Sequence, residues 1–169
     1  RVDILGQKTN KLYHDISKKI KKKYGRFILL NSFLTMIIHR SHKDYGTYLK
    51  QIKNHKDYKW GKTEISISKQ QVEMQKKIFL NYKKLFDRFY KEFKDKKMIV
   101  RPHPVENHDV WKKLLLKYDN IIFANDDNSA CSWMLASQFS ISSNCTTAIE
   151  SQLLNKFNIN FRPVKNKNV

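Results

Sequence analysis

A chain of 169 residues with 34 Lys and Arg against 15 Asp and Glu, net +19, is long enough for one well-packed domain and strongly cationic. No segment reaches the ~20 apolar residues that span a bilayer; the longest run, Phe27 to Ile38, is broken by Asn31, Ser32 and Thr35. Two cysteines, Cys131 and Cys145, exclude a disulfide scaffold and match no metal spacing, so a reducing cytosol is expected, and no signal peptide is visible.

The chain opens at Arg1 without Met and closes on Lys165-Asn166-Lys167-Asn168-Val169, so it reads as a piece of a longer protein. Lys8 to Tyr24 is predicted as a helix, with Leu12, Tyr13, Ile16 and Ile20 on one face and Gly25 as its stop. Phe27 to Asn31 is apolar on both faces, as a buried strand of a parallel sheet must be. Residues 33–62 lack a clear period and hold His39, His42, His55, Gly46 and Gly61. We expect there an irregular, partly helical excursion over the ligand edge of the sheet. Ser66 or Ser68 is the expected N-cap of a helix reaching about Lys94, with Val72, Ile78, Phe79, Tyr82, Leu85, Phe86, Phe89 and Phe93 as its core stripe.

The units then shorten. Strands are expected at 97–101, 120–124, 138–142 and 157–161, alternating with helices at 107–117, 129–136 and 146–154. Such alternation means βαβ crossovers, hence an α/β fold: a Rossmann-like, doubly wound parallel sheet with helices on both faces. The expected organisation is an N-terminal linker and helix (1–26), a Rossmann-like domain (27–163) with its insertion at 33–62, and a tail (164–169). There is no Gly-x-Gly-x-x-Gly and no Walker-type loop. Phosphate, if bound, is held by other means.

The charge is lopsided. Residues 1–97 carry 26 basic and 9 acidic side chains, net +17, whereas 98–169 carry 8 and 6, net +2. Only six of the basic residues are Arg. The plain reading is a solvated lysine surface; the functional one is a basic module that grips anionic lipid or nucleic acid. No zinc finger, helix-turn-helix or aromatic RNA-binding signature is present, so no specific nucleic-acid partner is expected.

Two segments stand at strand-to-helix handovers, where open α/β sheets bind ligands. Arg101-Pro102-His103-Pro104 follows Met98-Ile99-Val100. Its Arg can pair two hydrogen bonds with a phosphate, its His can add another, and its prolines reduce the freedom of the loop. Ser142-Ser143-Asn144-Cys145-Thr146-Thr147 opens the last helix with more hydroxyl and amide groups than a cap needs. Glu150, one turn past Thr147, is placed to accept from ribose hydroxyls. Asp126-Asp127 suits a turn better than a divalent ion, and no metal or other cofactor is required.

With Glu106, Trp111 and Ser132-Trp133, and with Arg1 to Leu5 and Tyr24 to Asn31 near the start, these motifs resemble the C-terminal nucleotide-binding half of GT-B glycosyltransferases. The likeness is greatest to bacterial surface carbohydrate biosynthesis proteins. The His-Pro and Ser-Ser pairs (His103-Pro104, Ser142-Ser143) also resemble the motifs of sialyl- and Kdo-transferases and of CDP-glycerol glycerophosphotransferases. The resemblance implies a cytoplasmic transferase, free or peripheral at the inner membrane, that takes a CMP-, CDP- or UDP-activated donor and a lipid-linked or glycan acceptor for surface polysaccharide or lipopolysaccharide. It assigns leaving-phosphate stabilisation to Arg101 and His103, and donor binding to Pro104, Ser142, Ser143, Asn144, Thr146, Thr147 and Glu150. Cys145 departs from the hydroxyl expected there. The general base would lie in an N-terminal acceptor domain that this chain lacks, so the piece alone would bind donor with little or no transfer. A sugar-nucleotide epimerase, built on the same architecture, is the remaining enzymatic alternative.

Overall fold

Leu29 and Leu30 are neighbours in one strand and both fully buried, so the sheet has to be covered on both sides. The computed structural model describes residues 10–41, 44–53, 60–124, 128–143 and 145–163. The expected tail, Asn144, Asp126-Asp127, His42, His55 and the opening Arg1 to Leu5 lie outside the described residues.

Helix α1 (Lys11–Tyr24) starts behind Asn10, whose side chain accepts from the Leu12 amide. It stops at Gly25, where φ of 71° suits a residue without a Cβ. Strand β1 (Ile28–Asn31) leads into the excursion, which contains α2 (Tyr45–Lys53). The long helix α3 spans Lys62–Glu92, and strand β2 spans Met98–Arg101. Then follow α4 (His108–Leu115), β3 (Ile121–Phe123), α5 (Ala130–Ala136), β4 (Ser140–Ser142), α6 (Thr147–Leu153) and β5 (Asn158–Asn160). The five strands are parallel in the order β3-β2-β1-β4-β5, the doubly wound topology expected from the alternating pattern. The winding reverses between β1 and β4.

Strand pleating sorts the core into two layers. Leu30, Met98, Val100 and Ile141 pack with Ile78, Tyr82, Phe86 and Phe89 of α3 and Trp111 and Leu115 of α4. Leu29 and Ile99 pack on the other side with Ile20 and Tyr24 of α1 and Cys131, Trp133, Met134 and Ala136 of α5. Helix α6 joins this second side, because Ser140 and Ser151 share a hydroxyl–hydroxyl bond of 2.9 Å and Ser151 Oγ reaches Met134 Sδ.

Helix α1 docks on the second layer, where Tyr24 and Phe27 wedge against Trp133 with ring centroids 5.5 and 5.9 Å away. One expectation needs correcting. Neither Ser66 nor Ser68 caps α3. The helix begins one to two turns earlier, after Gly61, and Ser68 is buried with its hydroxyl donating to the Ile65 carbonyl and bonded to Tyr45. A serine that bonds back onto its own helix and an inward-facing tyrosine has no need to be a cap. Among the described residues no helix is long and apolar enough to cross a membrane.

Candidate functional site

The parallel register sets three strand ends side by side. Asn31 at the end of β1 is opposite Arg101 of β2 on one flank and Ser142 of β4 on the other. Alternation puts all three on the side of the sheet covered by α5 and α6, because the preceding Leu30, Val100 and Ile141 face α3. This is the C-terminal edge of the sheet at the reversal of winding, where such folds open a crevice. The two motifs picked out in the sequence therefore meet at one edge, on either side of β1.

Arg101 is half-buried and its guanidinium donates to the Asn128 carbonyl at 3.1 Å, just ahead of α5. Cys131, in the first turn of α5, feels both Arg101 and the Glu150 carboxylate, while burial is the chief cause that raises its thiol pKa. Glu150 is half-buried.

His103 follows from the Arg101 loop and packs edge-on against Phe33, ring centroids 5.2 Å apart. Its pKa is held below 6.5 by burial first, then by the charges of Arg101 and His39. The Val105 amide points at its Nδ1 at 3.4 Å, so the neutral ring carries its proton on Nε2. Arg101, His103 and His39 form a cationic-leaning group, and an arriving anion would reverse the shift on the imidazole. Pro104, exposed, continues the turn beyond it.

Behind this loop lies a buried carboxylate that organises it. Glu106 is 1 % exposed and accepts from the Ser32 hydroxyl (2.8 Å), the Leu34 amide (2.8 Å) and the Trp111 indole N–H (2.6 Å). Its own amide donates to the His103 carbonyl at 2.9 Å. An antiparallel bridge between His39 and Glu106 and the Arg40 amide donating to the Val105 carbonyl close the seam. The excursion after β1 is thereby stitched to the loop after β2, which gives His39 its place. Desolvation pushes the Glu106 pKa up to about 6, against the pull of the groups that donate to it.

The serine pair is split by the pleat. Ser142 faces the α6 side, and its hydroxyl donates to Asn158 Oδ1 at 3.1 Å. Ser143 turns the other way: its hydroxyl accepts from Tyr82 at 2.9 Å and donates to the Phe161 carbonyl at 2.8 Å. Both are buried, and both hydroxyls are committed within the fold. Thr146 is exposed, in helical conformation, and makes no side-chain cap. Thr147 is buried, with its hydroxyl unpartnered among the described residues.

Sequence reasoning missed Asn31. It is 2 % exposed, and neither its amide N–H₂ nor its oxygen has a hydrogen-bond partner among the described residues. A buried amide left unpaired costs about 1–3 kcal/mol. Its signal in the sequence was a polar residue ending an apolar strand, Leu29-Leu30-Asn31-Ser32. A donor–acceptor pair held at the centre of the edge, between an arginine and an imidazole on one flank and Thr147 and Glu150 on the other, can bind an oxygen-rich anion with hydroxyls.

Compared with known proteins, the chain matches no family model, no curated protein and no solved structure.

Proposed function

We propose that this chain binds the nucleoside-phosphate end of an activated sugar and serves as the donor half of a glycosyltransferase for surface polysaccharide or lipopolysaccharide. The observation that carries the reading is the alignment of uncommitted Asn31 between Arg101 and Ser142, at the reversal of winding. The resemblance of the Arg101–Glu106 and Ser142–Glu150 segments to such enzymes supports it independently of geometry.

In this scheme Arg101 and the Nε2–H of His103 hold the phosphate, and Asn31 and Thr147 complete its polar surround. Glu150 accepts from the ribose hydroxyls. An acceptor hydroxyl attacks the anomeric carbon of the donor, the bond from that carbon to the phosphate oxygen breaks, and the electron pair leaves on the phosphate. The acceptor's proton goes to a base outside this group of residues. Arg101 and His103 act on the leaving group, where negative charge grows, so their contribution is larger in the transition state than in the bound donor. Ser142 and Ser143 enter as supports, their hydroxyls being engaged elsewhere.

Titration calorimetry with CMP, CDP and UDP tests the proposal. Saturable heat with at least one nucleotide, weakened tenfold or more by Arg101→Ala and by His103→Ala, is the expected result. Absence of binding to all three sinks it.

A further inference from the structure

The opposite edge of the sheet holds a second, unrelated concentration of positive charge. A cavity of about 640 Å³ opens there, lined by Lys21, Gly25, Arg26, Ala136, Ser137, Gln138 and Lys156. The volume lies within the roughly 300–1,000 Å³ of small-ligand sites. Three lining residues are cationic and none is acidic. Among the described residues, no ion pair engages Lys21, Arg26 or Lys156.

Neutral oxygens hold two of these cations in place. Lys156 Nζ donates to the Ser137 carbonyl at 3.0 Å. With the Gln138 amide turned so that its oxygen faces the guanidinium, Arg26 donates to it from Nε at 3.3 Å and Nη2 at 2.9 Å. Lys156 is half-buried, and its pKa is lowered by burial and then by the charge of Lys21. Cations near helix C-termini answer the carbonyl ends, which accounts for Lys21 in the last turn of α1 and for Lys156 just past α6. It does not account for Arg26. That residue sits on the strand-entry loop, where Gly25 with its positive φ redirects the chain. Holding three like charges around one recess is unfavourable until an anion arrives, and prior fixing of Arg26 and Lys156 lowers the entropy cost of receiving it.

We infer that this N-terminal-edge cavity is an anion site for a phosphate-bearing group with two or more negative charges, gripped by Arg26, Lys156 and Lys21. It is independent of the donor site at the other edge. A soluble diphosphate and an anionic lipid headgroup share this chemistry, and the test separates them.

Inorganic pyrophosphate is titrated by calorimetry at constant salt into the unaltered chain and into Lys21→Glu, Arg26→Gln, Lys156→Gln and His103→Ala. Co-sedimentation with phosphatidic-acid vesicles, with and without pyrophosphate, is run in parallel. Lys21 and Arg26 are exposed, so their variants keep the fold even if Lys156→Gln loosens it; thermal melts verify this. Saturable pyrophosphate binding is expected to persist in His103→Ala, where the donor edge no longer holds the anion, and to be weakened tenfold or more by adding Lys21→Glu or Arg26→Gln to that variant. If vesicles then bind and pyrophosphate displaces them, the headgroup is the source; if vesicles do not bind, a soluble phosphate is. No pyrophosphate binding, or binding in His103→Ala indifferent to added Lys21→Glu and Arg26→Gln, overturns the proposal. Loss with His103→Ala alone also overturns it and assigns the anion to the other edge.

Discussion

At the C-terminal edge of the sheet, Arg101 and His103 stand next to a buried amide and a buried hydroxyl that have no partner among the described residues; at the N-terminal edge, Arg26 and Lys156 rest on neutral oxygens around an open recess. The first edge carries its cost in the folded state, as desolvated groups waiting for a partner. The second carries its cost as repulsion among charges near water, which salt already reduces. A buried site of that kind should trade stability against affinity and respond weakly to ionic strength. An open one should do the reverse.

The largest effect expected is at Glu106, which makes the first edge possible. Glu106→Ala removes the acceptor for Ser32, the Leu34 amide and the Trp111 indole, and urea unfolding should show a loss of about 3 kcal/mol. The carboxyl also gives that stability a pH slope. Its folded pKa of about 6 lies above the reference 4.5, so the native state holds the proton more tightly. Stability from this group is therefore full below about pH 4.5 and falls by about 2 kcal/mol as pH rises through 6. Glu106→Gln should flatten that slope; an unchanged slope would place the titration elsewhere.

Ser143→Ala comes next. It leaves the Tyr82 hydroxyl and the Phe161 carbonyl without a partner, at about 2 kcal/mol of stability, yet should change nucleotide affinity by less than about twofold. A large affinity loss with an intact melt would return Ser143 to the binding surface. Arg101→Lys, which keeps the charge but loses the planar fork, should weaken nucleotide binding about tenfold and leave pyrophosphate binding at the other edge untouched. Asn31→Leu is the sharpest division between the edges. Replacing an unpaired buried amide by an apolar side chain of similar volume should raise stability by about 1 kcal/mol while removing nucleotide binding. A fall in stability would mean that the amide is satisfied in the resting protein.

The smallest effect is a protonation one. Because His103 starts below its reference pKa and an anion raises it, binding takes up a proton. Nucleotide affinity should rise a few-fold from pH 8 to pH 6, and His103→Ala should remove that rise.

Much of the fold was legible in the chain because strands and helices alternate at βαβ spacing and the central strand β1 opens apolar on both faces. Even the helix stop at Gly25 could be read. The start of α3 was not, since a serine that bonds its own helix looks the same in sequence as one that caps it. The convergence of the two motifs was legible as a rule about strand ends. Which way each side chain turns was not: Ser142 and Ser143 are adjacent letters, but one pleat sends their hydroxyls to opposite sides of the sheet. Asn31 was hidden for a different reason, because an unsatisfied amide is a property of its surroundings and not of its identity. The N-terminal recess needed the strand order, which brings Arg26 and Lys156 together from sequence positions far apart.

The seam at Glu106 has a mechanical consequence. With one carboxylate latching the segment after β1 to the loop after β2, neither can swing outward alone, so that rim acts as a fixed jaw. On the proposed function, the side left for a guest to enter is the one next to α5 and α6.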